Sequence, residues 1–256
     1  MKKMILYLFG FFVVLVVGAI VFVNLVPAFG GNLTKEQRET FKQFSNYVSG
    51  KFVNEPNNAV TGNTPENLAM VGNSPRRPSG KIPVSEIDWN KVNREEDSLT
   101  WFGHSAFLVS IDSKKLLIDP MLSSNASPVS LVKIKRFSDD LLYLIDQMPP
   151  IDAVLITHDH YDHLDYQSIV KLKNKAERFF VPLGVGAHLI RWGIPAEKIT
   201  EFNWWQEAEY QGLTVVLTPA RHFSGRKISA QNSTLWGGWV ILGRNTRLFT
   251  SGDGSY

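Results

Sequence analysis

The segment Thr157-His158-Asp159-His160-Tyr161-Asp162-His163-Leu164-Asp165 places three histidines and three aspartates within eight positions. Half of the chain's six histidines (104, 158, 160, 163, 188 and 222) sit in it. Neither a packed core nor an ordinary solvated loop is composed this way, whereas imidazole and carboxylate together suit zinc or a similar borderline metal. The preceding run Ala153-Val154-Leu155-Ile156 is short and β-prone, which predicts a buried strand ending where the histidines begin. Side chains in extended or tightly turned backbone repeat with a period of two, so His158 and His160 reach one cation. A turn after them brings Asp162 and His163 forward to a second. Two ions about 3.5–4 Å apart share a hydroxide whose pKa falls to near neutrality, so the expected chemistry is hydrolysis by a nucleophile held at a rigid strand end.

His-x-His-x-Asp-His after a strand resembles the signature of the metallo-β-lactamase superfamily. Trp101-Phe102-Gly103-His104-Ser105, Leu117-Ile118-Asp119-Pro120, Asn203-Trp204-Trp205, Pro219-Ala220-Arg221-His222-Phe223-Ser224-Gly225-Arg226, Leu235-Trp236-Gly237-Gly238-Trp239 and Ser251-Gly252-Asp253-Gly254 narrow it. Together they are similar to the branch that contains N-acyl-phosphatidylethanolamine-hydrolysing phospholipase D and its bacterial relatives. The resemblance covers 85–256 and the short piece Gly50-Lys51-Phe52-Val53-Asn54. It implies an α/β fold, an αββα sandwich with the metals at one edge. It also implies a ligand set in which His222 completes a triad with His158 and His160 around one ion, Asp162 and His163 hold the other, and Asp253 bridges them. The implied cofactors are two divalent ions, Zn2+ first, with Mn2+ and Fe2+ compatible with the same donors; Asp162 and Asp253 are the expected catalytic carboxylates. His104 is expected beside the site without ligating, His188 to be packing, and Trp204, Trp205, Trp236 and Trp239 to be core and edge packing. In the family a further histidine beyond the bridging aspartate completes the second ion's shell. The sequence reaches Tyr256 before it, so the sandwich is expected to be C-terminally incomplete, and a truncated, non-catalytic protein is the contrasting functional class.

The elements that must carry these residues follow an apolar N-terminus. Lys2 and Lys3 precede a run from Met4 to Val26 broken only by Gly10, Gly18 and Asn24. At about 1.5 Å per residue it crosses a hydrocarbon layer of about 30 Å. Ala28-Phe29-Gly30 loosely fits a cleavage site, but the run exceeds the roughly 7–15 apolar residues of a secretory signal. A single-pass anchor in the cell membrane of a bacterium is therefore expected, with the catalytic domain outside the cytoplasm. The expected organisation is 1–30 anchor, 31–84 arm and linker, and 85–256 hydrolase domain. Within the arm, Leu33, Phe41, Phe44 and Tyr47 suit a short packing helix from about Thr34, and 54–84 is rich in Asn, Pro, Gly and Ser. Strands are expected at 105–111 and 115–119, joined at Asp112-Ser113, and at 179–182, 214–218, 234–242 and 247–250. Helices are expected at 141–147, 165–175 and 184–192.

Composition removes several classes. With no cysteine there is no thiolate nucleophile, cysteine-ligated zinc or disulfide framework. A net charge of +3 and no basic run beyond Lys133-Ile134-Lys135-Arg136, itself expected to be solvated, give nucleic acid no footprint. The partners expected are a membrane and a lipid or other small anionic substrate. The resemblance implies phosphodiester cleavage of an N-acylated phospholipid; related branches open lactones with similar ligands, so lactone or ester hydrolysis is the other chemistry.

Overall fold

A computed structural model describes residues 2–55, 78–129, 132 and 134–254. Much of the expected linker (56–77), Lys133 and Tyr256 lie outside the described residues. The chain begins with α1 (Lys2–Leu25), α2 (Lys35–Phe41) and a ribbon of β1 (Tyr47–Val48) and β2 (Lys51–Phe52). Then come α3 (Trp89–Arg94), β3 (Ser98–Trp101), β4 (Phe107–Ile111), β5 (Lys114–Ile118) and α4 (Leu144–Gln147). They are followed by β6 (Ile151–Leu155), α5 (Tyr166–Leu172), β7 (Ala176–Pro182), α6 (Gly186–Arg191) and β8 (Ile199–Phe202). The last strands are β9 (Glu207–Tyr210), β10 (Leu213–Thr218), β11 (Gly238–Leu242) and β12 (Arg247–Thr250).

The strand predicted before the histidines is β6, and its burial accounts for its composition. Ile151 and Val154 belong to one apolar core and Ala153 and Leu155 to another, so both faces exclude water. β6 lies inside a six-stranded sheet of order β3-β4-β5-β6-β7-β8, antiparallel from β3 to β5 and parallel from β5 to β8. One face packs under α4, α5 and α6 through Leu144, Ile145, Ile169, Leu172 and Leu189. The other meets an antiparallel sheet of order β12-β11-β10-β9, where Val109, Ile111, Leu116 and Phe180 share a core with Val215, Leu217, Trp239 and Ile241. This is the mixed α/β sandwich expected. β4 and β5 turn at Asp112 and Ser113, whose φ of 49° and 67° suit a two-residue hairpin.

The arm packs into the same inter-sheet core. Thr34 caps α2, its hydroxyl accepting from Gln37 N while the Gln37 side chain accepts from Thr34 N. Phe41, Tyr47 and Phe52 are buried with ring centroids 4.8–5.6 Å apart. α1 has no such face: Lys3–Leu25 is exposed along its length, with a mean hydropathy of 2.9, and is long and apolar enough to cross a membrane.

Three expectations need correction. The run 234–242 becomes a strand only at Gly238, because Leu235 and Trp236 are both buried and the backbone before it bonds to loops, Leu235 N to Leu183 O and Gly237 N to Thr157 O. Trp204, Trp236 and Trp239 are core residues, but Trp205 adopts a left-handed φ of 65° and leaves 71% of its surface exposed. Arg136 is not part of a solvated run: it turns inward, and its guanidinium donates to the carbonyls of Met121 and Phe102.

Truncating a fully buried ring removes transfer energy and leaves a cavity. Phe52→Ala is expected to lower unfolding free energy by about 3–5 kcal/mol in a denaturant titration, against about 0.5 kcal/mol or less for the exposed neighbour Val48→Ala.

Candidate metal centre

One edge of the sandwich collects the polar strand ends. β6 runs out into His158–His163, β10 into His222 and β12 into Asp253, while His104 and Ser105 lead into β4. His158, His160 and His222 converge: His158 Nε2 lies 2.8 Å from His160 Nδ1, and His222 Nε2 lies 3.2 Å from each of those atoms. The Thr157 hydroxyl donates to Asp119 Oδ2 and stands 2.9 Å from His158 Nδ1, so it accepts that N–H and leaves Nε2 as a lone pair. As hydrogen-bond donors the other two nitrogens would have to share the one lone pair of His158 Nε2, whereas a cation takes a lone pair from each. Their separations approach the edge of about 3.3 Å of a tetrahedron with zinc–nitrogen bonds of about 2.0–2.1 Å, so a cation among them fits.

The second grouping lies beside the first. His163 is fully buried; its Nδ1 lies 2.8 Å from Asp119 Oδ2 and 3.1 Å from Ser105 Oγ, and its Nε2 has no aligned hydrogen-bond partner among the described residues. That orphaned atom points toward Asp253 Oδ1 at 3.1 Å and Asp162 Oδ2 at 4.0 Å. His104 Nε2 reaches Asp162 Oδ2 at 3.0 Å. Ligand atoms within 4.8 Å of one another thus form three overlapping groups: His158, His160 and His222; His104, Asp162 and His163; and His158, His163 and Asp253. The structure brings all six predicted residues together, with Asp253 between the two centres, and this donor set could hold two ions.

The local electrostatics keep the first three imidazoles neutral and the two carboxylates ionised, while His163 must give up a proton to take a cation. Burial, reinforced by the neighbouring imidazoles, pushes His158 well below the ordinary histidine value. Burial also lowers His160, and takes His222 down to about 4. All three are neutral near pH 7. Burial would depress His163 as well, but the Asp119 and Asp253 carboxylates outweigh it and push it up to about 10. Burial opposes charge on Asp162 and Asp253, yet contact with His104 holds the first, and with His163 the second, below the usual carboxylate range.

Several supporting residues carried no assigned role in the sequence. Asp119 holds Thr157 through both oxygens, Oδ1 accepting from the backbone N at 2.8 Å and Oδ2 from the hydroxyl at 2.7 Å, besides its contact with His163. Asn54 fixes the backbone of His222, donating to its carbonyl at 2.9 Å and accepting from its N–H at 3.1 Å. Gly252 is glycine because a Cβ would come 2.8 Å from that of Thr157, and this approach sets Asp253 over the site. His188, expected only to pack, is buried but polar: its Nε2 lies 3.3 Å from Asp159 Oδ2, behind the metal loop. An Asx-rich motif shows which residues are polar, not which are second partners.

A groove of about 910 Å3 opens beside the second grouping. Ile82, Val84, Leu99, Met121 and Phe137 line it, together with His104 and Asp162.

The beta-lactamase superfamily domain matches residues 114–256. An uncharacterized protein of Mycobacterium tuberculosis is 40% identical over 90% of this chain and 63% of its own length. N-acyl-phosphatidylethanolamine-hydrolyzing phospholipase D 1 of Caenorhabditis elegans is 33% identical over 67% of this chain and 51% of its own. A metal-dependent hydrolase of Saccharolobus solfataricus is 34% identical over 54% and 59%. The chain thus spans between 51% and 63% of the length of these relatives.

Two outcomes follow from this geometry. Asp119→Asn removes the acceptor that orients His163 and is expected to weaken metal binding about 10–100-fold in a competition titration with a chromogenic chelator. His163, raised above its unfolded value of 6.5, contributes stability to the metal-free chain that is fully present below that value and lost as pH rises toward about 10. Chelator-treated protein is therefore expected to lose stability across that window, and His163→Gln to flatten the profile, in denaturation curves recorded as a function of pH.

Proposed function

Since the chain belongs to the metallo-β-lactamase superfamily, we propose that it is a membrane-anchored, dinuclear metal-dependent hydrolase acting on a phosphodiester with apolar chains, such as an N-acylated phospholipid. The observation that carries this reading is the convergence of six predicted donors at one edge of the sandwich, with an apolar groove beside them. His158, His160 and His222 would hold one ion and Asp162 and His163 the other, with Asp253 lying between the two groups of donors. The ions, Zn2+ by the imidazole-rich donor set or Mn2+ or Fe2+ in its place, lower the pKa of water and neutralise charge that develops on the reacting group.

The chain's own residues supply the rest. Asp162 and Asp253 stay ionised at neutral pH and are placed to accept a proton at the mouth of the site. His104, bonded to Asp162 Oδ2, orients that carboxylate. The groove takes the apolar part of the substrate and leaves its polar centre at Asp162. The relative named for N-acyl-phosphatidylethanolamine hydrolysis supports the substrate class. The groove would equally receive the acyl chain of a lactone or ester, which is the second reading.

α1 is the anchor, with Lys2 and Lys3 on the cytoplasmic side and the folded residues outside. The residues around the loosely matched cleavage site support its retention. Ala28 O accepts from Arg226, and a Cβ on the buried Gly30 would strike His188, so this stretch packs into the fold as a retained segment would.

Elemental analysis of the purified full chain is expected to give about two ions per molecule; one or none would overturn the dinuclear reading. His160→Ala is expected to reduce release of phosphatidic acid from N-acylated phosphatidylethanolamine to background while circular dichroism stays unchanged. Unaltered turnover in that variant would remove the site, and lactone opening without phosphodiester cleavage would favour the second reading.

A further inference from the structure

The end of α1 is fastened to the folded residues through a dense set of bonds. Arg191 at the end of α6 donates to the carbonyl of Asn24 and, at 3.1 Å, to that of Gly30. Trp192 Nε1 donates to Pro27 O at 2.8 Å, and Arg226 donates to Ala28 O through Nε and a terminal nitrogen at 3.0 and 2.7 Å. Lys227 Nζ reaches Asn32 Oδ1 at 2.8 Å. A freely jointed tether would have none of these contacts. They fix which surface surrounds the exit of the apolar helix.

That surface has an unusual composition. Ile228 is exposed at 103% of its reference area and Ile190 at 51%, and each is the sequence neighbour of a basic residue that holds the 24–32 segment, Lys227 and Arg191. Arg191 holds Gly30 and Lys227 holds Asn32, two positions on, so the two cations lie on one patch. Apolar tips flanked by basic side chains are what a bilayer interface selects, the tips entering the acyl boundary and the cations meeting anionic headgroups. Residues bonded directly to the segment that leaves the hydrocarbon core sit within the headgroup zone, which is only about 5–8 Å deep on each side.

We infer that Ile190, Arg191, Lys227 and Ile228 form a lipid-contacting patch that lies in the membrane interface around the exit of α1. This rests on the anchor reading proposed above. The loop that carries Lys227 and Ile228 also carries His222, and Phe223 in it packs against the rings of His160 and His222 at 4.7 and 4.8 Å. The patch therefore holds the His222 loop against the lipid surface, so that the candidate centre is kept at the bilayer rather than at the end of a flexible leash.

The absence of cysteine makes the test direct. Single nitroxide labels are placed at Ile228→Cys, Val13→Cys within α1, and Glu177→Cys at the far end of β7, each in the full chain reconstituted into vesicles of phosphatidylcholine and phosphatidylglycerol. Collision rates with oxygen, which concentrates in the bilayer, and with a water-soluble nickel chelate are then compared. The expected result is an oxygen-to-nickel ratio at 228 that is well above that of 177 and below that of position 13, which lies at mid-bilayer depth, while the label at 177 is nickel-dominated. A nickel-dominated 228 with an oxygen-dominated 13 would overturn the patch and leave the anchor standing. A nickel-dominated 13 would overturn the anchor reading and the patch with it. Ile228 makes no buried contact, so its substitution leaves the fold intact.

Discussion

The Asp119 carboxylate is the buried charge on which the site depends. An ionised carboxylate out of water is costly by several kcal/mol unless paired and hydrogen-bonded, and both of its oxygens are engaged. Its backbone N–H donates to Leu155 O, which extends the β5–β6 pairing to the point where the metal loop starts. From one side chain follow the position of Thr157, the tautomer of His158 by way of the Thr157 hydroxyl, and the tautomer of His163 by direct contact. Its left-handed φ of 42° is consistent with a strained position held by those bonds.

A second buried hub lies behind the metal loop. Arg226 donates to the carbonyls of Asp159, Leu164 and Ala28, and its guanidinium stacks 4.1 Å over Tyr161 and 5.1 Å from Trp192. Asp159, turned away from the donors, accepts from Gly225 N and contacts His188. Alternation thus sorts the loop: His158 and His160 face the site while Asp159 faces the scaffold. Arg226 ties together three segments distant in sequence, the stretch that follows α1, the His158–His163 loop and the His222 loop. The geometry of the candidate metal donors and the geometry of the stretch after α1 consequently share one cation.

The ligand positions were legible because metal chemistry demands rare residue types at tight spacing after apolar strands, and β6 and β10 are apolar on the faces they bury. The resemblance supplied what spacing could not, the assignments of His222 and Asp253. Edge elements were silent for the opposite reason. β3, β8 and β9 lie at sheet edges with half-exposed side chains, so Ser98–Trp101, Ile199–Phe202 and Glu207–Tyr210 carry no uninterrupted apolar run to read. Arg136 turns inward, and His188 packs as expected but also meets Asp159, because their partners are backbone carbonyls and a carboxylate brought in by the fold, which local sequence does not encode. Asn54 shows the same limit: the resemblance marked it, but only the tertiary contact with His222, 168 positions away, shows what it holds.

The centre is divided between the two sheets. His158, His160, Asp162 and His163 leave the six-stranded sheet, whereas His222 and Asp253 leave the four-stranded one. The six-stranded sheet alone gathers only His104, Asp162 and His163, and the groups that contain His222 or Asp253 need both sheets. The donors meet only when Leu116, Ile118 and Leu155 close against Leu217, Trp239 and Ile241, and when Gly237 N and Gly252 come down on Thr157. Packing of the inter-sheet core and assembly of the centre are therefore one event. A bound cation, holding nitrogens from both sheets, adds its binding free energy to the stability of the sandwich itself.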